Sequence, residues 1–335
     1  TLFSPYSKLN DITQFETHFP MALYCPLWRY RADFFFFFSK NVSIFGGDFT
    51  MLTWSTLDIL SYGAGTPSTT LALMSCQNAQ RGPPYPFPKV PVYDAVIFCD
   101  LHSEPGWVYE QAAFVAAACR EANIPFYRLD ADLYGDFTRN FGRARTACIP
   151  FWTLGDDGKK GKMPRQCTYD YKIKVIEKFV RYELLRYKPR ERTLPLDVHA
   201  HSLHMGIMWE ERRRARESKQ TLFVNRYPLV EMGWTRAECY AYNKIVWGLA
   251  TRASCCLFCP YHTNYFYQYI REHEPGCYAC ALQVDALVET HQARPPLKSK
   301  LFLSKSRKRL RDLTEEDCQD KQTFLYFQTP VWNGF

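Results

Sequence analysis

Two stretches of the chain carry residues whose types and spacing suit chemistry. The first is LDILSYGAGTPSTTLALMS, Leu57 to Ser75, where an apolar run turns through Gly63 and Gly65 and meets Ser68, Thr69 and Thr70. Closely spaced glycines let backbone N–H groups converge on an anion without an intervening Cβ, and the positive end of a following helix adds to the attraction. The same pattern also describes a plain Gly-x-Gly turn with hydroxyl residues capping a helix. No lysine follows the second glycine, so the run is not G-x-x-x-x-G-K-[ST]. Ser68 stands where G-x-G-x-x-G would have its third glycine. The second stretch is SCCLFCPYH, in which Cys256 and Cys259 form Cys-x-x-Cys; Cys277-x-x-Cys280 follows after 17 intervening residues. Four thiolates so spaced suit structural zinc, and Cys-x-x-Cys also serves iron–sulfur clusters. Buried, reduced cysteines without a metal are the alternative.

The elements that must position these residues read as α/β. Leu57 to Leu60 is a short strand leading into the glycine turn, and Thr69 to Gln77 a helix. The proline-rich RGPPYPFPKVP cannot continue that helix. YDAVIFCD, ending at Asp100, is a buried strand; PGWVYEQAAFVAAACREAN is the next helix and IPFYRLDAD the next strand. Strand, helix, strand at these lengths predicts parallel βαβ units in a doubly wound, mostly parallel sheet of Rossmann type. Ligands in such sheets lie beyond the carboxyl ends of the strands, where the turn after Leu60, Asp100 and Asp130 to Asp132 would fall. Gly155 to Pro164 reads as a flexible basic loop and Tyr169 to Tyr187 as a long amphipathic helix. HSLHMGIMWEE reads as a strand breaking into a loop, and NRYPLVEMGWTRAECYAYNK as a turn and a helix. The expected division is an N-terminal extension (1–52), a nucleotide-binding α/β domain (53–250), a cysteine-rich helical segment (251–295) and a basic, peripheral tail (296–335).

Composition bounds the function classes. Of 335 residues, 47% are hydrophobic and 23% charged, as in a folded globular chain, while aromatics at 16% favour thick cores or surfaces for flat ligands. The net charge of +8 gathers at Arg212, Arg213, Arg214 and Arg216 and over Lys298 to Arg311, runs that attract phosphate, free or in DNA or RNA, or else form solvated helix faces. Thirteen cysteines, an odd number without a secretory leader, predict a reducing compartment, the cytoplasm. No apolar run is long enough to span a bilayer. ADFFFFFSK, Ala32 to Lys40, reads as a buried strand or as a peculiarity of the N-terminal region.

LSYGAGTPSTTLAL resembles the loop of the PP-loop ATP pyrophosphatases, and more closely that of their phosphoadenosine phosphosulfate (PAPS) reductase-like branch, widespread in phages and bacteria. Five further segments follow in the branch's order: FCDLHSEPGWVYE, RQCTYDYKIK, GIMWEERRRARES, NRYPLVEMGWTRAEC and SCCLFCPYH. Together they cover about residues 55 to 290. The resemblance implies an adenine-nucleotide α-hydrolase-like fold and ATP with Mg2+, attacked at its α-phosphorus to give an adenylated intermediate and pyrophosphate. It places Ser61, Gly63, Gly65, Ser68 and Thr69 around the phosphates, and Asp100 near the nucleotide or its magnesium. Arg165, Lys172 and Arg213 become phosphate or substrate clamps. Thiolating relatives hold a [4Fe–4S] cluster on three cysteines, which here implies Cys167, Cys256 and Cys259, with zinc on the two Cys-x-x-Cys pairs as the other option. The acceptor implied is a nucleotide or a nucleic acid, DNA or tRNA, and the compartment the cytoplasm, that of the host for a phage-encoded protein.

The chain departs from the branch at two places. Pro67 stands where the loop usually has an acid, and Leu101-His102 where Asp100 would be followed by Thr-Gly. These keep open a nucleotide- or nucleic-acid-binding component of a larger assembly whose loop no longer supports catalysis. A sulfonucleotide reductase or transferase is the further alternative. The end of the chain, FQTPVWNGF, lacks the cysteine that reductases of the usual thiol route carry there.

Overall fold

In the computed structural model, which describes residues 56–141, 149–290, 299–321 and 324, the apolar run before the glycine turn forms β1 (Asp58–Tyr62) and the turn opens α1 (Thr66–Arg81). Pro67 sits in the first turn of α1, where its missing N–H costs nothing and its fixed φ suits the helix, so α1 starts earlier than the hydroxyls alone indicate. Then follow β2 (Ala95–Asp100), α2 (Gly106–Glu121), β3 (Phe126–Asp130), α3 (Leu133–Asn140), β4 (Trp152–Gly155) and β5 (Lys160–Lys162). Next are α4 (Lys174–Phe179), β6 (His201–Met205), β7 (Phe223–Arg226), α5 (Pro228–Glu231), α6 (Arg236–Trp247), α7 (Asn264–His273), α8 (Pro275–Thr290) and β8 (Ser299–Phe302). Residues 1–52, with ADFFFFFSK among them, lie outside the described residues.

Five strands form one sheet in the order β3-β2-β1-β6-β7, every pair parallel, with Leu60 opposite Val96 on one side and His204 on the other. β2 is buried along its whole length and reads as a continuous apolar run, as a strand covered on both faces must. Successive side chains show the two layers. Phe98 packs against Tyr62, whose hydroxyl reaches Thr69 of α1 and the Gln111 carbonyl of α2, while Cys99 on the opposite face points its thiol at the Lys172 carbonyl. The α/β, doubly wound architecture is therefore present. The chain order reverses between β1 and β6, so the loops after these two strands flank the switch point of the sheet.

Three local readings change. The basic loop from Gly155 closes an antiparallel hairpin of β4 and β5, turned through Gly158 at φ 75°, and β8 pairs with the other side of β4. The basic tail is not peripheral: Leu301, Leu303 and Leu310 are buried, and the Arg309 guanidinium lies 3.0 Å from the buried Asp285 carboxylate. That carboxylate also accepts the Leu310 N–H at 2.9 Å. VNRYP contributes β7, an edge strand too short to show alternation, where a turn was expected. The long amphipathic helix is continuous from Tyr169 to Leu184, with a π-helical turn on either side of α4. One hydrophobic cluster includes residues of the main sheet, of the cysteine segment (Cys256, Phe258) and of the tail (Leu301, Leu310).

Candidate functional site

The turn after β1 has an uneven hydrogen-bond inventory. Its carbonyls are taken: Ala64 O by the Gln111 amide, Gly65 O by the Ser68 hydroxyl at 3.1 Å and the Thr69 N–H at 3.0 Å, and Thr66 O by the Thr70 hydroxyl at 2.9 Å. The N–H groups of Ala64, Gly65 and Thr66 have no partner among the described residues. Donors left open at the head of a sixteen-residue helix, with acceptors closed off, form an anion-binding arrangement. Ala64 adopts φ 53°, a left-handed turn that L-residues occupy only under constraint. Two backbones confine the turn. A Cβ on Gly206, just past β6, would lie 2.5 Å from the Ser68 nitrogen, and one on Gly65 would lie 2.9 Å from the Ser254 hydroxyl.

The proposed phosphate residues fare differently. Gly63 is half-buried, and its N–H donates to the Ser68 hydroxyl at 3.3 Å, so Ser68 serves the loop itself. Thr69 is fully buried and faces the Tyr62 hydroxyl at 3.3 Å, away from the open N–H groups. Ser61 is half-buried within β1, between Ile97 and Met205.

Asp100 ends β2 at the carboxyl edge but is fully engaged. One carboxylate oxygen accepts the His102 N–H at 2.9 Å and the Tyr109 hydroxyl at 3.0 Å; the other takes a two-pronged grip from Arg128, whose Nε lies at 2.9 Å. His102 adopts φ 57°, the conformation a glycine takes freely.

Beyond Asp100 lies Glu104, which the sequence reading quoted but gave no role. Its side chain is fully buried, neither carboxylate oxygen has a hydrogen-bond partner among the described residues, and the Lys172 ammonium stands 3.8 Å away. Burial pushes the Glu104 carboxyl up, against the opposing pull of Lys172. Burial pulls Lys172 down, but the Glu104 carboxylate and the thiols of Cys256, Cys99 and Cys255 outweigh it and leave the ammonium above its ordinary value. Lys172 thus sits among carboxylate and sulfur rather than on a solvated face.

The thiols gather at the same place. Cys255 and Cys256 both hydrogen-bond to Cys259, holding the Cys259 thiol well below its usual pKa and pushing their own well above. Cys167 feels the charges of Arg165 and Cys259; burial raises it and Arg165 opposes. Arg165 and Lys162 both lie over the exposed ring of Tyr261, at 5.6 and 4.3 Å, so a cationic, aromatic rim borders the thiols. Cys277 lies elsewhere: its thiol donates to Glu274 at 3.1 Å, and burial together with that carboxylate pushes it up to about 12. The four-cysteine zinc arrangement is therefore not assembled. Soft thiols flanked by cations suit a thiophilic metal or cluster in chemistry. In geometry, no group of three or more Cys, His, Asp or Glu side chains among the described residues is arranged to hold a metal.

Arg213 lies on the 3-10 turn Trp209–Arg214 that follows β6, exposed and without an ion pair among the described residues. It is on the switch-point side of the sheet but is not brought to the thiols by any contact. Its neighbours are spoken for: Arg212 stacks on Trp209 at 4.4 Å and Arg214 pairs with Glu211 at 2.9 Å. The other basic run is partly neutralised internally, with Lys308 on Asp317, Arg309 on Asp285 and Arg311 on Glu289. Among the described residues no helix is long and apolar enough to cross a membrane.

Sequence reasoning missed Ser254, Gln111, Trp107, Gly206 and the Asp100–Arg128 pair. Gly206 opened a quoted motif and so left a trace. Ser254 and Gln111 act through contacts 189 and 47 residues away in sequence (254 against 65, 111 against 64), which no local pattern encodes.

No family model matches the chain, and no curated protein matches it. Among solved structures, the chain is similar to the U34-tRNA thiolase NcsA from Methanococcus maripaludis with its [4Fe–4S] cluster. The identity is 12%, over 76% of this chain and 78% of that chain, with a TM-score of 0.32, a likeness too distant to carry family, substrate or cofactor to this chain.

Proposed function

We propose that the chain is an ATP-dependent adenylating enzyme of the PP-loop kind that activates an oxygen on a nucleotide or nucleic acid, in a reducing cytoplasm, for replacement by sulfur. The observation that carries this reading is the adjacency of two chemistries. The turn with open N–H groups and closed carbonyls touches Ser254, and the next residue begins the thiol group of Cys255, Cys256 and Cys259. ATP with Mg2+ would place its phosphates against residues 63–66. The acceptor oxygen attacks the α-phosphorus, the bond to the bridging oxygen breaks, and pyrophosphate leaves with the electron pair. Lys172 and Arg165, with Arg213 across the switch point, offset the developing charge. A hydrosulfide ion then forms the C–S bond as the C–O bond to AMP breaks, with no change in oxidation state. A [4Fe–4S] cluster would need Cys167, Cys256 and Cys259 to draw together, and zinc on the two Cys-x-x-Cys pairs would in addition need Cys277 to leave Glu274, so the cluster asks for the smaller rearrangement. The rim of Lys162, Arg165 and Tyr261, with the exposed Lys159 and Lys160, favours DNA or tRNA as the acceptor.

The test is pyrophosphate release on incubation with ATP, Mg2+, sulfide and DNA or tRNA, paired with iron and zinc analysis of anaerobically prepared protein. Release that depends on Lys172, with iron lost in Cys256→Ser and Cys259→Ser, is expected. A second reading is favoured by the grip of Arg128 on Asp100, which leaves that acid no free oxygen: a nucleotide-binding component without catalysis. ATP binding with no pyrophosphate from any acceptor would decide for it.

A further inference from the structure

The segment Arg252–Ser254 is pinned from several directions, and its one free hydroxyl faces the glycine turn. The Gln111 side chain grips Arg252 on both backbone groups, donating to its carbonyl at 3.1 Å and accepting its N–H, while the same amide holds the Ala64 carbonyl. Trp107 donates its indole N–H to the Ala253 carbonyl at 3.0 Å, and the Arg252 guanidinium lies 3.9 Å over the Trp107 ring. Asn243 ties the buried Thr251 hydroxyl, at 3.2 Å, to the Thr66 carbonyl, at 3.3 Å. Downstream, the Leu257 N–H donates to the Ser103 carbonyl at 2.6 Å. The strap is thus registered to α1, α2, α6 and the loop after β2.

Between these anchors, Ser254 is half-buried and its hydroxyl has no partner among the described residues. That oxygen lies 2.9 Å from where a Cβ of Gly65 would be and 3.8 Å from where one of Gly63 would be. At Gly65 a side chain would crowd it, since the Ser254 backbone nitrogen also lies only 3.3 Å from that Cβ position, whereas at Gly63 the spacing is ordinary contact. A half-buried hydroxyl without a partner, set beside three N–H groups also without partners, makes a set of four donors whose one potential acceptor is that same hydroxyl. An anion with several oxygens completes such a set, whereas a residue that merely fills space would need no hydroxyl there.

We propose that Ser254 is a further phosphate-contacting residue of the nucleotide site, donating from the strap opposite the helix so that the phosphates are held from two sides. This rests on the nucleotide reading above. The test titrates the full chain with inorganic pyrophosphate and with ATP–Mg2+ by calorimetry, comparing Ser254→Ala and Ser254→Thr, with thermal unfolding of each. Loss of a hydrogen bond to a charged oxygen predicts about tenfold weaker binding for Ser254→Ala. Ser254→Thr, which keeps the hydroxyl, should stay within about threefold, and the Ala variant should unfold at the wild-type temperature. Undiminished affinity in Ser254→Ala overturns the proposal, as does an equal loss in Ala and Thr accompanied by a lowered unfolding temperature, which marks a packing role. Wild-type protein that binds neither pyrophosphate nor ATP overturns the nucleotide reading itself, a result separable from failure of the variant alone.

Discussion

Gly206→Ala is the perturbation whose cost can be worked most directly. The new Cβ would stand 2.5 Å from the Ser68 nitrogen and 2.8 Å from both the Pro67 carbonyl carbon and the Ser68 Cα, against the 3.4 Å at which ordinary contact begins. All three neighbours are backbone, so no side chain can swing away, and β6 and the first turn of α1 must separate by most of an ångström. Overpacking of this kind costs about 1–3 kcal/mol, and the lack of a flexible neighbour puts the gross cost near 3. The reduced freedom of the unfolded chain returns about 0.4–1 kcal/mol, leaving about 2 kcal/mol of net destabilisation. Gly276→Ala is the matched control, since nothing lies within 4 Å of its added Cβ in α8, and it should stabilise by about 0.5–1 kcal/mol. Denaturant titration monitored by circular dichroism should show the two midpoints moving in opposite directions at unchanged slope. Pyrophosphate binding should fall in Gly206→Ala alone, because the displaced turn carries the open N–H groups. A Gly206→Ala protein as stable as wild type would refute the close approach of β6 to the loop.

Three further outcomes are expected. At His102, held at φ 57°, His102→Ala should be less stable than His102→Gly by about 1 kcal/mol in denaturant melts, because only glycine occupies that region without strain; equal stabilities would deny the strain. Arg309→Met leaves the Asp285 carboxylate buried without its cation and should cost about 3 kcal/mol, with Arg309→Met/Asp285→Asn recovering most of it in a double-mutant cycle. Burial lowers the pKa of His201, against the opposing Asp197, and of His262, so each stays neutral in the fold while its unfolded form takes a proton below about 6.5. Stability from these groups is therefore present above that pH and lost as pH falls, by at most about 1.4 kcal/mol per pH unit for each; His201→Asn should reduce the slope of the unfolding midpoint as pH falls below about 6.5, and an unchanged slope would remove His201 from the account.

The parallel sheet was legible because buried parallel strands are continuous apolar runs, and YDAVIFCD declares one without reference to anything else. The glycine turn and the Cys-x-x-Cys pair were legible because each is a local pattern with a local physical cause. The partners of those motifs were not. Asp100 looked like an acid waiting at a strand end, yet Arg128 on the neighbouring strand satisfies it, and the pairing depends on register that sequence does not print. Thr69 counted as a loop hydroxyl until helical phase turned it toward Tyr62. The run Lys298 to Arg311 read as an external cationic face because the acids that meet it, Asp285, Glu289 and Asp317, lie on other elements or beyond its end.

The hairpin strand β5 has a bearing on how the molecule behaves in company. It lies at the rim of the three-stranded sheet with Lys160, Gly161 and Lys162 all exposed. A strand rim offers unpaired amides and carbonyls to any other extended chain, here with the Gly161 carbonyl already taken by the Arg307 guanidinium at 3.3 Å, and a copy of the same hairpin is the commonest such chain at high concentration. Two lysines flanking a glycine meet such a copy with like charge and offer no apolar side chain for it to grip. The hairpin therefore guards the protein against self-association, and that protection should weaken as salt screens the lysines.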